Sequence, residues 1–236
     1  KRVDGFISHC QVSKELAEST FPRLSDRPHA VIPHGHYREV YPNNINCEVA
    51  KTNLDVPFDS HVLLFLGYID YYKNVPHLVQ VFRELAPANW ILLVAGKLEV
   101  PELEEQIFQA VANDFRVKLQ LEFVSDEKLQ EYFQTADLVI LPFQDILNSG
   151  SALLALSFDC PILVPQKGAM AELQEQVGQN WIKLYSGELT TDILESGLEW
   201  ALEERRSPQA NLEKLEWSRL SQQTIEAYRK ILNFYS

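Results

Sequence analysis

The sequence predicts an α/β protein organised around a doubly wound, mostly parallel, Rossmann-like sheet. Three observations carry that expectation. Short apolar runs rich in Val, Ile, Leu and Phe recur along the chain. Between them lie longer stretches with helical spacing and polar faces, the alternation of βα units. Several of the apolar runs are unbroken, as strands covered on both faces require. The 236 residues are 46% hydrophobic and 23% charged, enough apolar material for a substantial core.

Strands are predicted at Gly5 to Ser8, Ala30 to Pro33, Val62 to Leu66, Trp90 to Ala95, Leu119 to Phe123, Leu138 to Leu141, Pro161 to Val164 and Trp181 to Leu184. Helices are predicted at Val12 to Ser19, Val75 to Leu85, Glu102 to Ala112, Asp126 to Thr135, Ser151 to Phe158, Ala171 to Glu175, Thr191 to Glu204 and Leu212 to Asn233. The six strands between Leu63 and Leu184 form a self-consistent doubly wound unit, whose ligand belongs at the carboxyl ends of the strands. Arg38 to Asp59, with Asn43, Asn44 and Asn46, reads as a linker separating the first two strands from that unit. The last segment is long and amphipathic, carrying Leu215, Leu220, Ile225, Tyr228, Ile231 and Leu232, and such a face needs a partner surface.

Thirty-three acidic residues against 21 basic ones give a formal charge of −12. That sign opposes phosphate backbones and anionic lipid, so no nucleic-acid partner is expected. A phosphate-bearing ligand must be held locally, by a helix N-terminus or a well-placed lysine. Cys10, Cys47 and Cys160 are odd in number and widely spaced, signalling neither a disulfide framework nor a zinc site. No apolar run approaches the roughly 20 residues of a membrane span, and a cytoplasmic setting is the simplest expectation. The single methionine is Met170, so the chain is expected to begin partway through something longer.

Three βα junctions invite a chemical reading. After Leu63-Leu64-Phe65-Leu66 comes Gly67-Tyr68-Ile69-Asp70-Tyr71-Tyr72-Lys73-Asn74, where Gly67 permits close backbone approach and Lys73 offers a cation. Taken alone, this is an ordinary loop with a solvated lysine. Leu141 to Ser151 ends on Asn148-Ser149-Gly150-Ser151, a run of capping residues around a glycine that opens a helix. It is either an anion site or a capped buried helix with nothing bound. Phe123-Val124-Ser125-Asp126-Glu127-Lys128-Leu129 is a strand running into a helix capped by Ser125. His34 and His36 sit two apart with no third ligand nearby, and no metal or cofactor is expected. No GxGxxG, P-loop, GxSxG or HExxH is present, which removes the commonest signatures of dinucleotide, nucleoside-triphosphate and hydrolytic chemistry.

In order and spacing these segments resemble the carboxyl half of family 4 glycosyltransferases, retaining and metal-independent enzymes of the GT-B fold. Val31-Ile32-Pro33-His34-Gly35 is similar to the family's VIPNG crossover, and Phe65-Leu66-Gly67 with Lys73 to its FxGR…K loop. Phe123 to Leu129 resembles the base-binding turn. Ala136 to Phe143, with Ser149 to Pro161 and Gly168 to Leu173, is similar to the ADLVVLPS…G…P…G…PEL pattern.

The resemblance implies a donor domain binding a nucleoside-diphosphate sugar. Residues 60–211 would form it, and 30–59 would be crossover and linker. Residues 1–29 and the helix at 212–236 would be remnants packing on a missing amino-terminal acceptor domain, leaving this chain inactive alone. Gly67 and Lys73 would approach the diphosphate, and Val124 would lie near the nucleobase. The amides after Asn148, at Ser149, Gly150 and Ser151, would hold phosphate or sugar, with Tyr68, Pro142, Phe143 and Asn148 also binding the nucleotide sugar.

The chain departs from the family pattern at three places. Ile146 and Leu154 stand where the family keeps two glutamates, and Tyr68 replaces its arginine. Lys73 and Asp145, the latter beside the first glutamate position, are therefore the expected catalytic residues. The same departures would suit a non-catalytic sugar-nucleotide-binding scaffold, and a doubly wound sugar-nucleotide epimerase is a third reading.

Overall fold

A computed structural model describes residues 3–85, 87, 89–203 and 206–234. In chain order the elements are β1 (Phe6–Ser8), α1 (Gln11–Thr20), β2 (His29–Val31), α2 (Cys47–Asn53), β3 (His61–Leu66), α3 (Val75–Leu85), β4 (Trp90–Ala95), α4 (Glu102–Val111) and β5 (Val117–Gln120). There follow α5 (Leu129–Thr135), β6 (Leu138–Ile140), α6 (Gly150–Ser157), β7 (Ile162–Pro165), α7 (Met170–Val177), β8 (Ile182–Tyr185), α8 (Thr191–Ala201) and α9 (Trp217–Phe234). Short 3₁₀ turns lie at Pro22–Leu24, Tyr71–Lys73 and Glu213–Leu215.

Six strands form one parallel sheet in the order β5-β4-β3-β6-β7-β8. The strand order reverses between β3 and β6, so the loops leaving their carboxyl ends diverge and open a crevice there. Central strands bury both faces: Val62 to Leu66 and Trp90 to Ala95 are buried without a break. This is why their sequences run apolar rather than alternate. On the faces, α3 packs against α4 and α8, and α2 against α5.

A separate two-stranded parallel sheet pairs β1 with β2, Phe6 opposite His29 and Ser8 opposite Val31. Leu220 and Ala227 of α9 cover it, forming a small cluster with Ile32, Ile7 and Ala30. The terminal helix therefore finds a partner for one part of its face only. Leu215 joins the main core and Leu220 the small one, while Ile225, Tyr228 and Leu232 stay exposed.

Several expected boundaries move for identifiable reasons. β5 begins and ends earlier than expected because its ladder on β4 runs only from Leu92–Val117 to Ala95–Gln120. Past that point β4 turns off at Gly96, and Phe123 is left exposed at the crevice lip. The expected helix at Asp126 starts at Leu129, after a turn in which Ser125 contributes its carbonyl to the amides of Lys128 and Leu129. The last expected residue of α8, Glu204, lies outside the described residues.

Within Arg38 to Asp59 the structure forms α2, a helix the sequence reading did not foresee. Asn46 caps it by accepting from the amide of Val49 at 2.9 Å. The ammonium of Lys51, itself buried, donates to the carbonyls of Phe58 and Ser60.

Candidate functional site

At the crevice, Gly67 follows β3 with φ +148° and Gly96 follows β4 with φ +139°. A Cβ on Gly96 would sit 2.0 Å from the Gly67 carbonyl oxygen, so this pair of strand ends can approach only with glycine there. Beyond Gly67, Asp70 accepts from the Tyr71 amide at 2.6 Å and caps the 3₁₀ turn Tyr71–Lys73. Asn74, left-handed at φ 55°, ends that turn and starts α3.

This geometry turns Lys73 inward. The residue is only 6% exposed, against the solvated lysine that its loop alone would suggest. Its ammonium lies 5.1 Å from the Phe143 ring centroid and 5.7 Å from that of Tyr72. A Cβ on Gly67 would be 3.1 Å from it. Among the described residues no hydrogen-bond acceptor or carboxylate is in reach of this ammonium. Burial lowers the Lys73 pKa, and the nearby Asp70 carboxylate offsets part of that effect.

Facing Lys73 is the start of α6. The Ser149 hydroxyl accepts from the Ala152 amide at 3.0 Å, and the Ser149 carbonyl takes Leu153 at 3.3 Å. The remaining first-turn amides, Gly150 and Ser151, have no acceptor among the described residues. Most of the body of α6 from Ala152 onward is buried, while Gly150 at its start is exposed, so the positive end of its dipole faces the crevice opening. The loop entering it is braced on both sides. Gln144 donates its amide to Tyr72 O at 2.7 Å, and Ala169 donates to Leu147 O at 2.9 Å.

Two hollows meet at this helix end. The first is lined by Gly67, Tyr68, Lys73, Val124, Gly150 and Ser151 of the expected residues, and also by Leu154, Tyr37 and Tyr41. The second gathers Lys73, Phe143, Asp145, Asn148, Ser149 and Ile146. Of the expected residues only Pro142 lines neither; it is buried beneath the loop. Asp145 is exposed at the rim of the second hollow, whereas Ile146 is 8% exposed and packs inward.

Tyr37 and Tyr41 are not among the residues that the sequence reading places at the site. Two tyrosines spaced four apart after the crossover were the available signal. His34 directs Nδ1 to the Gly35 carbonyl at 2.7 Å. His36 Nε2 lies 3.0 Å from a Glu216 carboxylate oxygen without hydrogen-bond alignment. Around the mouth, Glu172 accepts from the amides of Gln11 and Val12 at 2.9 and 3.1 Å, tying α1 to the larger unit.

An enclosed cation facing two free helix amides is an anion cradle. Lys73 and those amides share the crevice walls with a second lysine, Lys97, which lines the first hollow and pairs with Glu99 at 3.0 Å.

Comparison with known proteins agrees with this architecture. Residues 60–195 match the model of the family described as glycosyl transferases group 1. A GDP-mannose:glycolipid 4-beta-D-mannosyltransferase from Xanthomonas campestris pv. campestris is 31% identical over 201 residues, covering 85% of this chain and 55% of that protein. The chain thus spans about half the length of the curated relatives it matches.

Among solved structures, sucrose-phosphate synthase from Thermosynechococcus elongatus superposes with a TM-score of 0.74 at 18% identity, covering 98% of this chain and 59% of that one. WaaG, a glycosyltransferase involved in lipopolysaccharide biosynthesis, gives 0.68 at 14% identity over 94% of this chain and 57% of its own. These neighbours share the GT-B fold, and the family match spans the sheet, the Lys73 turn and the start of α6. The chain belongs to the group 1 glycosyl transferases.

Proposed function

We propose that this chain is the donor-binding part of a glycosyltransferase that takes a nucleoside-diphosphate sugar and transfers the sugar to an acceptor. The buried ammonium of Lys73, facing the free amides of Gly150 and Ser151, is the observation that carries the reading. A diphosphate there would supply the anion that both lack. As the sugar–phosphate bond breaks, negative charge grows on the leaving diphosphate, and fixed positive groups on the crevice walls stabilise it without a metal.

On this reading residues 60–211 hold the donor. Residues 1–29 and 212–236 would pack on an acceptor-binding domain, with 30–59 as the crossover. Asp145, at the rim of the second hollow, would face the sugar, and Val124 the base. The Xanthomonas relative makes GDP the first nucleotide to try and a glycolipid the first acceptor class.

Two stereochemical outcomes are open to test. The resemblance to family 4 supports retention. The β-linkage in the relative's name supports inversion if the donor sugar is α-linked, and comparing the anomeric linkage of donor and product by NMR decides between them. A scaffold reading is supported by the aliphatic Ile146 and Leu154.

Calorimetric titration of the chain with GDP, UDP, ADP and their sugar conjugates tests donor binding. Micromolar to sub-millimolar binding of one of them is expected. No heat with any of them at millimolar concentration would remove the donor-binding reading.

A further inference from the structure

We infer that the Tyr37 hydroxyl is the group by which this protein holds the ribose of its nucleotide. The inference rests on the donor-binding reading above and deepens it.

Four observations place Tyr37 for that task. Its backbone is pinned to α6, the amide donating to the Ser157 hydroxyl at 2.9 Å. Its side chain runs back along the same helix, and a Cβ on Gly150 would lie 3.5 Å from its oxygen. Gly150 and Leu154 are four apart, so they share one face of α6, one turn from each other. Tyr37, Gly150, Leu154, Lys73 and Gly67 all border the first hollow.

The hydroxyl therefore stands beside Gly150 of the anion cradle and one turn from an aliphatic side chain, in the same hollow as Val124, where the donor reading puts the base. Among the described residues it has no hydrogen-bond partner. The ring is held in place by Tyr41, with centroids 6.0 Å apart, and by His34 at 5.5 Å.

A phenol differs from a carboxylate in what it can offer. Leu154 can neither donate nor accept, whereas a neutral phenol does both. Burial, reinforced by Tyr41, raises the Tyr37 pKa, so the hydroxyl keeps its proton across the physiological range. It can accept from one ribose hydroxyl while donating to another. A phenol also adds no negative charge beside the diphosphate, unlike a second carboxylate close to Lys73. In a chain of net charge −12 that is a distinct way of binding an anionic ligand.

The test titrates the full chain and its Tyr37→Phe variant with four ligands: the tightest-binding of GDP, UDP and ADP, the 2′-deoxy and 3′-deoxy analogues of that nucleotide, and inorganic pyrophosphate. Thermal melting of both proteins checks that the variant folds. The inference predicts that Tyr37→Phe weakens the ribonucleotide by about 2- to 12-fold, the span of one hydrogen bond. It also predicts that the variant loses the preference of the parent for ribose over at least one deoxy sugar, while pyrophosphate binds both proteins alike.

An unchanged affinity or an unchanged ribose preference would overturn it, and so would a parallel loss of pyrophosphate binding, which would make Tyr37 a packing residue for the cradle. If the parent binds none of the nucleotides, the donor reading itself falls and this inference with it. A parent that binds them while the variant behaves identically removes the inference alone.

Discussion

In the six-stranded sheet, β3 and β4 bury eleven consecutive-run residues, Val62 to Leu66 and Trp90 to Ala95, beneath helices on both faces. The two-stranded sheet is a different kind of structure. Ser8 is the one buried residue in β1 and β2, and the flanking helices leave Leu16 52%, Ile225 50% and Leu232 70% exposed. The first unit satisfies its hydrophobic faces internally, and its crevice holds the cation and free amides. The second buries a three-residue cluster, Ile32, Leu220 and Ala227, and leaves large apolar side chains such as Leu16 and Ile225 exposed. Stability and ligand chemistry are therefore expected to reside in the larger unit, while the smaller one presents surface.

Substitutions can break that contrast, and the largest effect is expected at the centre of the large sheet. Leu64 is fully buried, and Leu64→Ala should lower the unfolding free energy by about 2–5 kcal/mol, read from urea denaturation. If instead it costs no more than a surface change, the large sheet is not the core of the molecule.

Lys73→Ala comes next, and it should separate binding from stability. Removing a hydrogen bond to a charged group costs about 1.5–3 kcal/mol, or roughly 10- to 150-fold in nucleoside-diphosphate affinity. The melting temperature should hold or rise, because a buried cation without a partner is lost. A variant that melts lower and binds normally would make Lys73 structural.

The same lysine sets a pH dependence. Its folded-state pKa lies below 10.5, so folding disfavours the charged form. That penalty is present in full below the lowered value and is relieved as pH rises from it toward 10.5, so the unliganded protein gains stability across that window. Diphosphate binding works the other way, since it favours the charged form. Affinity should fall as pH rises through the lowered value, and the Lys73→Ala variant should lack that step.

The smallest effect is expected on the exposed face of α9, where Ile225→Ala should change stability by less than about 0.5 kcal/mol and leave nucleotide binding unchanged.

Much of this contrast was legible in the residues. Unbroken runs such as Leu63 to Leu66 announced strands buried on both faces, and Val75 to Leu85 is a helix of the expected bounds. Asn148-Ser149-Gly150-Ser151 marked a helix start whose cap is the Ser149 hydroxyl. Local pattern carried less where tertiary pairing decides the outcome. The apolar alternation of Leu119, Leu121 and Phe123 continues past the point where β4 can pair, so β5 stops at Gln120.

Helix α2 was hidden in a segment rich in asparagine because one of those asparagines is its cap. The depth of Lys73 depends on a 3₁₀ turn capped by Asp70 and on the Phe143 ring from another loop, and neither contact has a signature in the spacing. Tyr37 reaches α6 through a hydrogen bond spanning 120 positions, which no local pattern encodes.

Amide hydrogen exchange with and without the nucleotide that binds tests the central claim most directly. The account predicts slowed exchange concentrated in the peptides covering Gly67 to Asn74 and Asn148 to Leu153, with the β1–β2 sheet and α9 unchanged. Protection centred on α1 or α9, or no added protection at Gly150 and Ser151 under saturating nucleotide, would contradict it.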